Sequence, residues 1–411
     1  MLLSLSILRR ARTFGTLSGL LCVAAPGMAG DIPGGDRFGE SVDLSGDTVI
    51  VGRPSTRPGT GSGEGAALVY VRRDGVLRFE AELASDRGTG SDGFGSVVAL
   101  SGNTAAVAAP AASPPRVYLF VRQGTRWLPS ARIDASQANS GFARTLDLDV
   151  DTLVVGARFR NGSRGGVHVY QRAGKTWPLL ATLAADDGAP DDYFGSAVAV
   201  DAARILVGAF GRDLGGAAYV FERTGAVWQQ TARLVAANPR IGDRFGLAVA
   251  LDGDRAVVGA PGTQADDFEE QGAAIVFERQ TGNWVETAEL SAFDGRQNDL
   301  FGWSLSLDGD TLVAGAIFDT DSVALQGSAY AFTHLGGVWL SSVKLRAPSP
   351  RDSDIFGNSV ALGGNLLWIG APGFQNNGFG TAYAFERTGL LWNVGERFVD
   401  PTLFADQFES N

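Results

Sequence analysis

Short apolar runs of four to eight residues recur along the chain, and turns rich in Gly, Asp, Asn or Pro separate them. The runs contain many Val, Ile, Tyr, Phe and Thr residues, as in Ser196 to Val200 and Leu247 to Leu251. This pattern predicts short β-strands. Because no segment sustains a 3.6-residue period, the sequence predicts almost no helix.

The predicted strands fall into seven copies of one repeat. A phenylalanine, followed by Gly in six copies and by Ala143 in the third, marks each copy, and successive copies lie 56, 48, 52, 51, 56 and 55 residues apart: Phe38, Phe94, Phe142, Phe194, Phe245, Phe301 and Phe356. A strand, a tight Gly-Asp turn and a second strand ending in a Gly-Ala-Pro-like phrase follow, as at Gly259-Ala260-Pro261. A third strand and a fourth, tryptophan-containing strand complete the copy.

Four strands joined in this way predict an antiparallel meander with two faces to bury. Seven meanders arranged radially bury those faces against each other, so the sequence predicts an all-β, seven-bladed β-propeller. A linear solenoid would need distinct polar caps, but the first and last copies resemble the others. A closed ring is therefore favoured.

Six tryptophans occupy one position of the repeat, and Leu77 takes that place in the first copy: Trp127, Trp177, Trp228, Trp284, Trp339 and Trp392. A row of tryptophans could form a platform for sugars. Burying each one would contribute up to about 5 kcal/mol, from roughly 200 Å² at about 25 cal/mol per Å². We therefore interpret the row, like the repeated phenylalanine, as packing between blades.

The two recurrent phrases resemble the FG-GAP repeat of integrin α chains and of many exported bacterial proteins, over residues 36 to about 398. The resemblance implies the same seven-bladed propeller. Calcium-binding members carry a long Asp-rich loop between the first two strands, whereas this chain has only Ser45-Gly46-Asp47 or Asp252-Gly253-Asp254 there. So short a turn cannot supply six oxygen ligands. The sequence therefore resembles the calcium-free version and assigns no metal ligand.

The first 30 residues predict a signal peptide. Arg9, Arg10 and Arg12 precede the largely apolar stretch Thr13 to Pro26, and small residues follow. Export to the periplasm, envelope or medium is therefore expected. Cys22, the only cysteine, lies in this segment, so the secreted chain must rely on a large core instead of disulfides. Residues 31–398 are predicted to form the propeller, and 399–411 a disordered tail.

The formal net charge of −11 argues against binding to nucleic acid or to anionic membranes. The chain has two histidines, His168 and His334, in or beside third strands, where repeat drift explains them better than catalysis. No zinc spacing or phosphate-binding loop is present. The sequence consequently assigns no catalytic residue and no cofactor, and we expect a monomer.

Carboxylates collect in the connections predicted to emerge on one face: those from fourth to first strands and from second to third strands. They are Asp86, Asp92, Asp134, Asp186, Asp187, Asp191, Asp192, Asp243, Asp294, Asp299, Asp352, Asp354, Asp266, Asp267, Glu269, Glu270, Asp319 and Asp321. Three interpretations stay open: turn capping, a weak cation site at Asp186, Asp187, Asp191 and Asp192, or a paired-carboxylate glycosidase site.

These features favour an exported, non-catalytic propeller with an adhesion or scaffold role. Its loop-rich acidic face would bind a protein or glycan partner. The main alternative is a lectin or carbohydrate-active enzyme that uses the carboxylates of this face. A purely structural module of the cell envelope is the third.

Overall fold

The computed structural model describes residues 35–55, 65–86, 92–137, 139–264, 270–373, 379–389 and 391–399. The predicted signal peptide and nearly all of the predicted tail lie outside these residues. Within them, the chain forms 28 strands and one four-residue helical turn, α1, at Arg160–Ser163. No helix in the described ranges is long and apolar enough to cross a membrane.

Each repeat forms one blade of four consecutive strands. Blades 1 to 3 contain β1 Val42–Ser45, β2 Thr48–Arg53, β3 Ala66–Arg73, β4 Val76–Leu83, β5 Val98–Ser101, β6 Thr104–Ala109, β7 Arg116–Gln123, β8 Arg126–Asp134, β9 Phe142–Asp149, β10 Thr152–Ala157, β11 Val167–Gln171 and β12 Leu179–Leu183.

Blades 4 to 7 follow the same order. They contain β13 Ala197–Asp201, β14 Arg204–Ala209, β15 Ala217–Thr224, β16 Val227–Leu234, β17 Ala248–Asp252, β18 Arg255–Ala260, β19 Ala273–Gln280, β20 Asn283–Leu290, β21 Phe301–Asp308, β22 Thr311–Ala316, β23 Ser328–Leu335, β24 Val338–Leu345, β25 Ser359–Gly363, β26 Leu366–Ala371, β27 Thr381–Thr388 and β28 Leu391–Phe398.

All seven sheets are antiparallel meanders in which neighbouring strands are consecutive in sequence. The first strand of every blade lines a central channel, and the fourth lies outermost. The predicted all-β, seven-bladed propeller is thereby confirmed. The ring closes where β1 packs beside β25, and no strand is exchanged between blades 1 and 7.

The repeated phenylalanine is a core residue in all seven blades, with at most 2 % of its surface exposed. Four of the six repeated tryptophans are buried and two are half-buried. A guanidinium lies over the ring in several cases, for example Arg223 over Trp228. The packing interpretation of both positions is confirmed.

The two glycines of the repeat contact each other across blades. A Cβ atom on Gly208, at the end of a second strand, would overlap the carbonyl oxygen of Gly246, which follows the phenylalanine of the next blade. Gly246 itself has φ +95°, a conformation that favours glycine. Between blades 2 and 3, where Ala108 and Ala143 stand at the two positions, both glycines are missing.

Carboxylates and hydroxyls at the end of the innermost strands link successive blades. Asp252 accepts a hydrogen bond from the amide of Gly309 at 2.6 Å, in the first turn of the next blade. Backbone amides of the next blade donate equivalent hydrogen bonds across five further junctions, to Ser45, Ser101, Asp149, Asp201 and Asp308. The shortened turns are therefore part of the contact between blades.

Candidate binding site on the loop face

The two ends of the propeller differ in their connections. On one, the hairpin face, every connection within a blade has two residues except that between β11 and β12. On the other, the loop face, the connections from second to third strands range from six residues after β6 to twelve after β18. The sequence-based assignment of the second-to-third and fourth-to-first connections to one face is thus confirmed.

Recesses of about 280 Å³ open between loops of the loop face. One lies beside Leu214, Val235 and Pro239, and its neighbour lies beside Arg240, Ile241 and Glu270. Ile241 is 82 % exposed and Leu214 is 61 % exposed. Apolar side chains at the rims of recesses are typical of binding surfaces.

Many of the carboxylates predicted for this face cap turns. The repeat contains an aspartate two residues before the phenylalanine in six blades, which the sequence analysis did not recognise as one position: Asp36, Asp92, Asp192, Asp243, Asp299 and Asp354. Each accepts a hydrogen bond from a backbone amide of its own loop. Burial raises the pKa of Asp299 to about 6. The turn-capping interpretation is confirmed for this position.

Most of the other predicted carboxylates form ion pairs. Asp187 lies 3.2 Å from Arg212 and 3.3 Å from Arg233, and Asp192 lies 3.1 Å from Arg212. Arginines therefore pair two of the four carboxylates of the supposed cation cluster, Asp187 and Asp192, and leave Asp186 and Asp191 without an ion pair among the described residues. Asp86, Asp134, Asp294, Asp319, Asp321 and Glu270 are paired as well. Asp352 accepts a hydrogen bond from Ser353, and Asp266, Asp267 and Glu269 lie outside the described residues.

No group of three His, Cys, Asp or Glu side chains in the described ranges could hold a metal ion. His168 is buried against Phe142, and burial, aided by the charge of Arg160, lowers its pKa. His334 lies 3.3 Å from Asp310 beside Arg255. Neither histidine adjoins a Ser or Cys nucleophile with a supporting acid, so neither forms a triad.

The central channel contains two carboxylates that the sequence analysis missed. Asp43 and Asp147 occupy a position of the first strand where four other blades have alanine. They accept hydrogen bonds from the amides of Leu100 and Val200 in the next blades, at 2.6 and 2.7 Å. Burial, reinforced by Asp147, raises the pKa of Asp43 to about 7, and burial raises that of Asp147 to about 6.

A second position of the repeat, besides that of Asp43 and Asp147, has an unusual feature. It lies at the mouth of the channel on the loop face. The residue between the capping aspartate, or Ser140, and the phenylalanine has a positive φ in all seven blades: Arg37, Gly93, Gly141, Tyr193, Arg244, Leu300 and Ile355. Five of these residues are not glycine, and such a backbone costs each about 1–3 kcal/mol. Strained positions of this kind cluster at functional sites, which directs attention to this mouth.

Comparison with known proteins agrees with the repeated four-strand blade of this fold. The family model described as the FG-GAP repeat matches residues 28–70, 78–120, 177–221, 228–277, 284–332 and 339–385. The gap between the second and third matches contains most of blade 3, whose Ala143 departs from the repeat. No curated protein matches the sequence.

Solved structures share the fold at low identity. The β-propeller domain of the Trilobed protease from Pyrococcus furiosus, which has an open velcro topology, matches with 9% identity and a TM-score of 0.53 over 90% of this chain and 97% of that one. A chain of the Mitotic Checkpoint Complex matches with 15% identity and a TM-score of 0.51 over 85% and 90% of the two chains. These similarities concern the fold alone.

Proposed function

We propose that this chain, which belongs to the FG-GAP repeat family, is an exported scaffold that binds a protein or glycan partner through its loop face. The observation that carries the proposal is the asymmetry of the two faces. Two-residue turns, apart from the β11–β12 connection, form the hairpin face, whereas loops of different lengths surround recesses with exposed Leu214 and Ile241 on the loop face. Export is proposed from the signal-peptide pattern of the first 30 residues.

The binding surface is less acidic than its sequence suggests. Its aspartates largely cap turns or pair with arginines and a lysine. We therefore propose that shape, aromatic and apolar side chains, and local arginines select the partner. An adhesion role would follow if that partner belongs to a cell surface.

The experiment compares two matched apolar-to-acid variants. Ile241→Asp alters the loop face, and Leu335→Asp alters an exposed apolar side chain, 65 % accessible, on the hairpin face. Both are tested for binding to a glycan array and to envelope material of the source organism. We expect Ile241→Asp to weaken binding at least tenfold, and Leu335→Asp to leave it unchanged. Equal binding by the two variants would contradict a partner on the loop face.

A carbohydrate-active enzyme is the second candidate, because Asp43 and Asp147 have pKa values raised by different amounts in one channel. Unequal carboxyl groups can divide acid and base roles. Their hydrogen bonds to strand amides, however, favour a structural role. If the protein hydrolyses a polysaccharide and the Asp43→Asn variant does not, this result would support an enzymatic function.

A further inference from the structure

The loop between β10 and β11 differs from the rest of this acidic protein. Residues 158–166 contain Arg158, Phe159, Arg160 and Arg164 and no carboxylate, although the whole chain has a net charge of −11. Neither Arg160 nor Arg164 forms an ion pair with a carboxylate of the described residues. The loop therefore presents unneutralised positive charge on the loop face.

Three aromatic rings extend from this loop into blade 4. Phe159 contacts Tyr193 edge to face, with centroids 6.1 Å apart, and Tyr193 stacks on Phe210 at 5.0 Å and 9°. Phe159 is 36 % exposed, and the other two rings are half-buried. The three rings and the two arginines Arg160 and Arg164 are called the basic–aromatic strip below.

The backbone is shaped to hold these rings. A Cβ atom on Gly141 would lie 2.9 Å from the ring of Phe159, and one on Gly211 would lie 2.7 Å from the ring of Tyr193. Tyr193 has φ +56°, and its amide donates a hydrogen bond to the carbonyl of Ser163 at 2.9 Å. A large side chain kept in an unfavourable conformation needs such support.

Two further arginines, Arg144 and Arg158, contact the ring of Phe159. The guanidinium carbons of Arg158 and Arg144 lie 4.8 and 5.7 Å from its ring centre. Arg158 is buried, and burial lowers the pKa of Arg144. Cation–π contacts of this kind stabilise a ring in one orientation. Asp192, which directly precedes Tyr193 in the chain, is bound to Arg212.

We propose that the basic–aromatic strip binds an acidic polysaccharide built from uronic acids. Each unit of such a polymer presents one ring and one carboxylate, which matches the neighbouring aromatic and guanidinium groups of the strip. Arginine binds carboxylates in a bidentate manner, and the apolar face of a sugar packs on an aromatic ring. This inference rests on the proposed function of the loop face and specifies the chemistry of its partner.

The test measures binding of three probes to the whole protein by calorimetry: tetragalacturonic acid, its methyl ester and a tetraglutamate peptide. We expect the acid to bind at least tenfold more tightly than the other two. Arg160→Ala/Arg164→Ala should remove that preference, and Phe159→Ala should weaken binding of both sugars. Arg126→Ala/Lys175→Ala, which removes two positive charges from the hairpin face, should change nothing.

Unchanged melting temperatures of the variants will show that each one folds. Equal affinity for the acid and its ester, or no binding of the acid, would overturn the inference. Equally tight binding of tetraglutamate would overturn it too, in favour of an acidic protein partner. If these probes fail while Ile241→Asp still abolishes binding to envelope material, the proposed function stands and only the uronate assignment falls.

Discussion

At the scale of single residues, position within the blade decides what a carboxylate does. The aspartate two residues before the phenylalanine caps a loop in six blades, whereas Asp252 and its equivalents link neighbouring blades. Asp43 and Asp147 link blades from within the channel, where both are half-buried. There, burial and the nearby charge of Asp147 together raise the pKa of Asp43, although its oxygens accept hydrogen bonds from two amides.

The raised pKa of Asp43 predicts how stability varies with pH. An unfolded aspartate titrates near pH 3.9, but native Asp43 keeps its proton up to about pH 7. The native state therefore binds more protons between about pH 4 and 7, and the contribution of this group to the free energy of unfolding falls as pH rises through that window. Asp43→Asn should show a smaller decrease, measured by urea unfolding across these pH values.

Asp43→Asn also loses one acceptor for the amides of Leu44 and Leu100. The free energy of unfolding of this variant at a single pH therefore does not test the raised pKa. The quantity to compare is the slope of the free energy of unfolding against pH. Curves that run parallel for the variant and the original protein would contradict the assignment of a raised pKa to Asp43.

At the scale of elements, the contact between blades explains the repeated phrases. In six blades, the glycine near the end of the second strand packs against the backbone after the next phenylalanine, so both phrases of the repeat serve one interface. Blade 3 departs from this scheme at Ala143, and the same blade contributes Phe159, Arg160 and Arg164 to the basic–aromatic strip. The blade that fits the repeat least well is thus the one with the most distinctive surface.

Gly208→Ala should destabilise the protein by about 2–3 kcal/mol, because the added methyl group would overlap the backbone of Gly246 and force overpacking. Denaturant unfolding measures the loss. Gly225→Ala is the control, since its Cβ would meet nothing within 4 Å and only the positive φ of +65° is strained. That variant should lose about 1 kcal/mol. Equal losses would show that the close approach between blades is unimportant.

At the scale of the whole molecule, the junction of blades 1 and 7 differs from the other six. Gly363 stands where six blades have Ser or Asp, so the hydrogen bond to the next turn is missing among the described residues. On the loop face, Asn358 donates to the carbonyl of Glu40 at 2.9 Å, and the amide of Gly380 donates to Asp36 at 2.8 Å. No strand of the described residues is exchanged there, and these hydrogen bonds act together with the packing of β1 on β25 to close the ring.

Asp36→Ala should therefore open this junction selectively. The substitution leaves the amides of Phe38 and Gly380 without their acceptor, which costs about 1–3 kcal/mol for each buried donor. Amide hydrogen exchange should accelerate in β1 and β27 and change little in blade 4.

Asp243→Ala removes the equivalent residue within the ring and is the matched control. It should destabilise its own loop without accelerating exchange in β1. If both variants accelerate exchange uniformly, the ring opens as one cooperative unit and the junction has no special weakness.

The sequence by itself determined the architecture, because a strand pattern repeated seven times has few ways to bury its faces. It also showed that Phe38 and its equivalents pack in the core. It did not reveal the positive φ of Tyr193, since nothing in a bulky residue type signals that conformation. It could not pair Asp187 with Arg212, because their contact depends on how two loops meet.

Only the tertiary structure decided which side chains share a site. Phe159, Tyr193 and Phe210 are far apart in the sequence and lie in three different connections, yet antiparallel blades bring all three to the loop face. Asp43 and Asp147 face one channel because blades 1 and 3 point their first strands at the same axis. A repeat pattern fixes the position of each side chain within its blade, and closure of the ring sets the neighbours across blades.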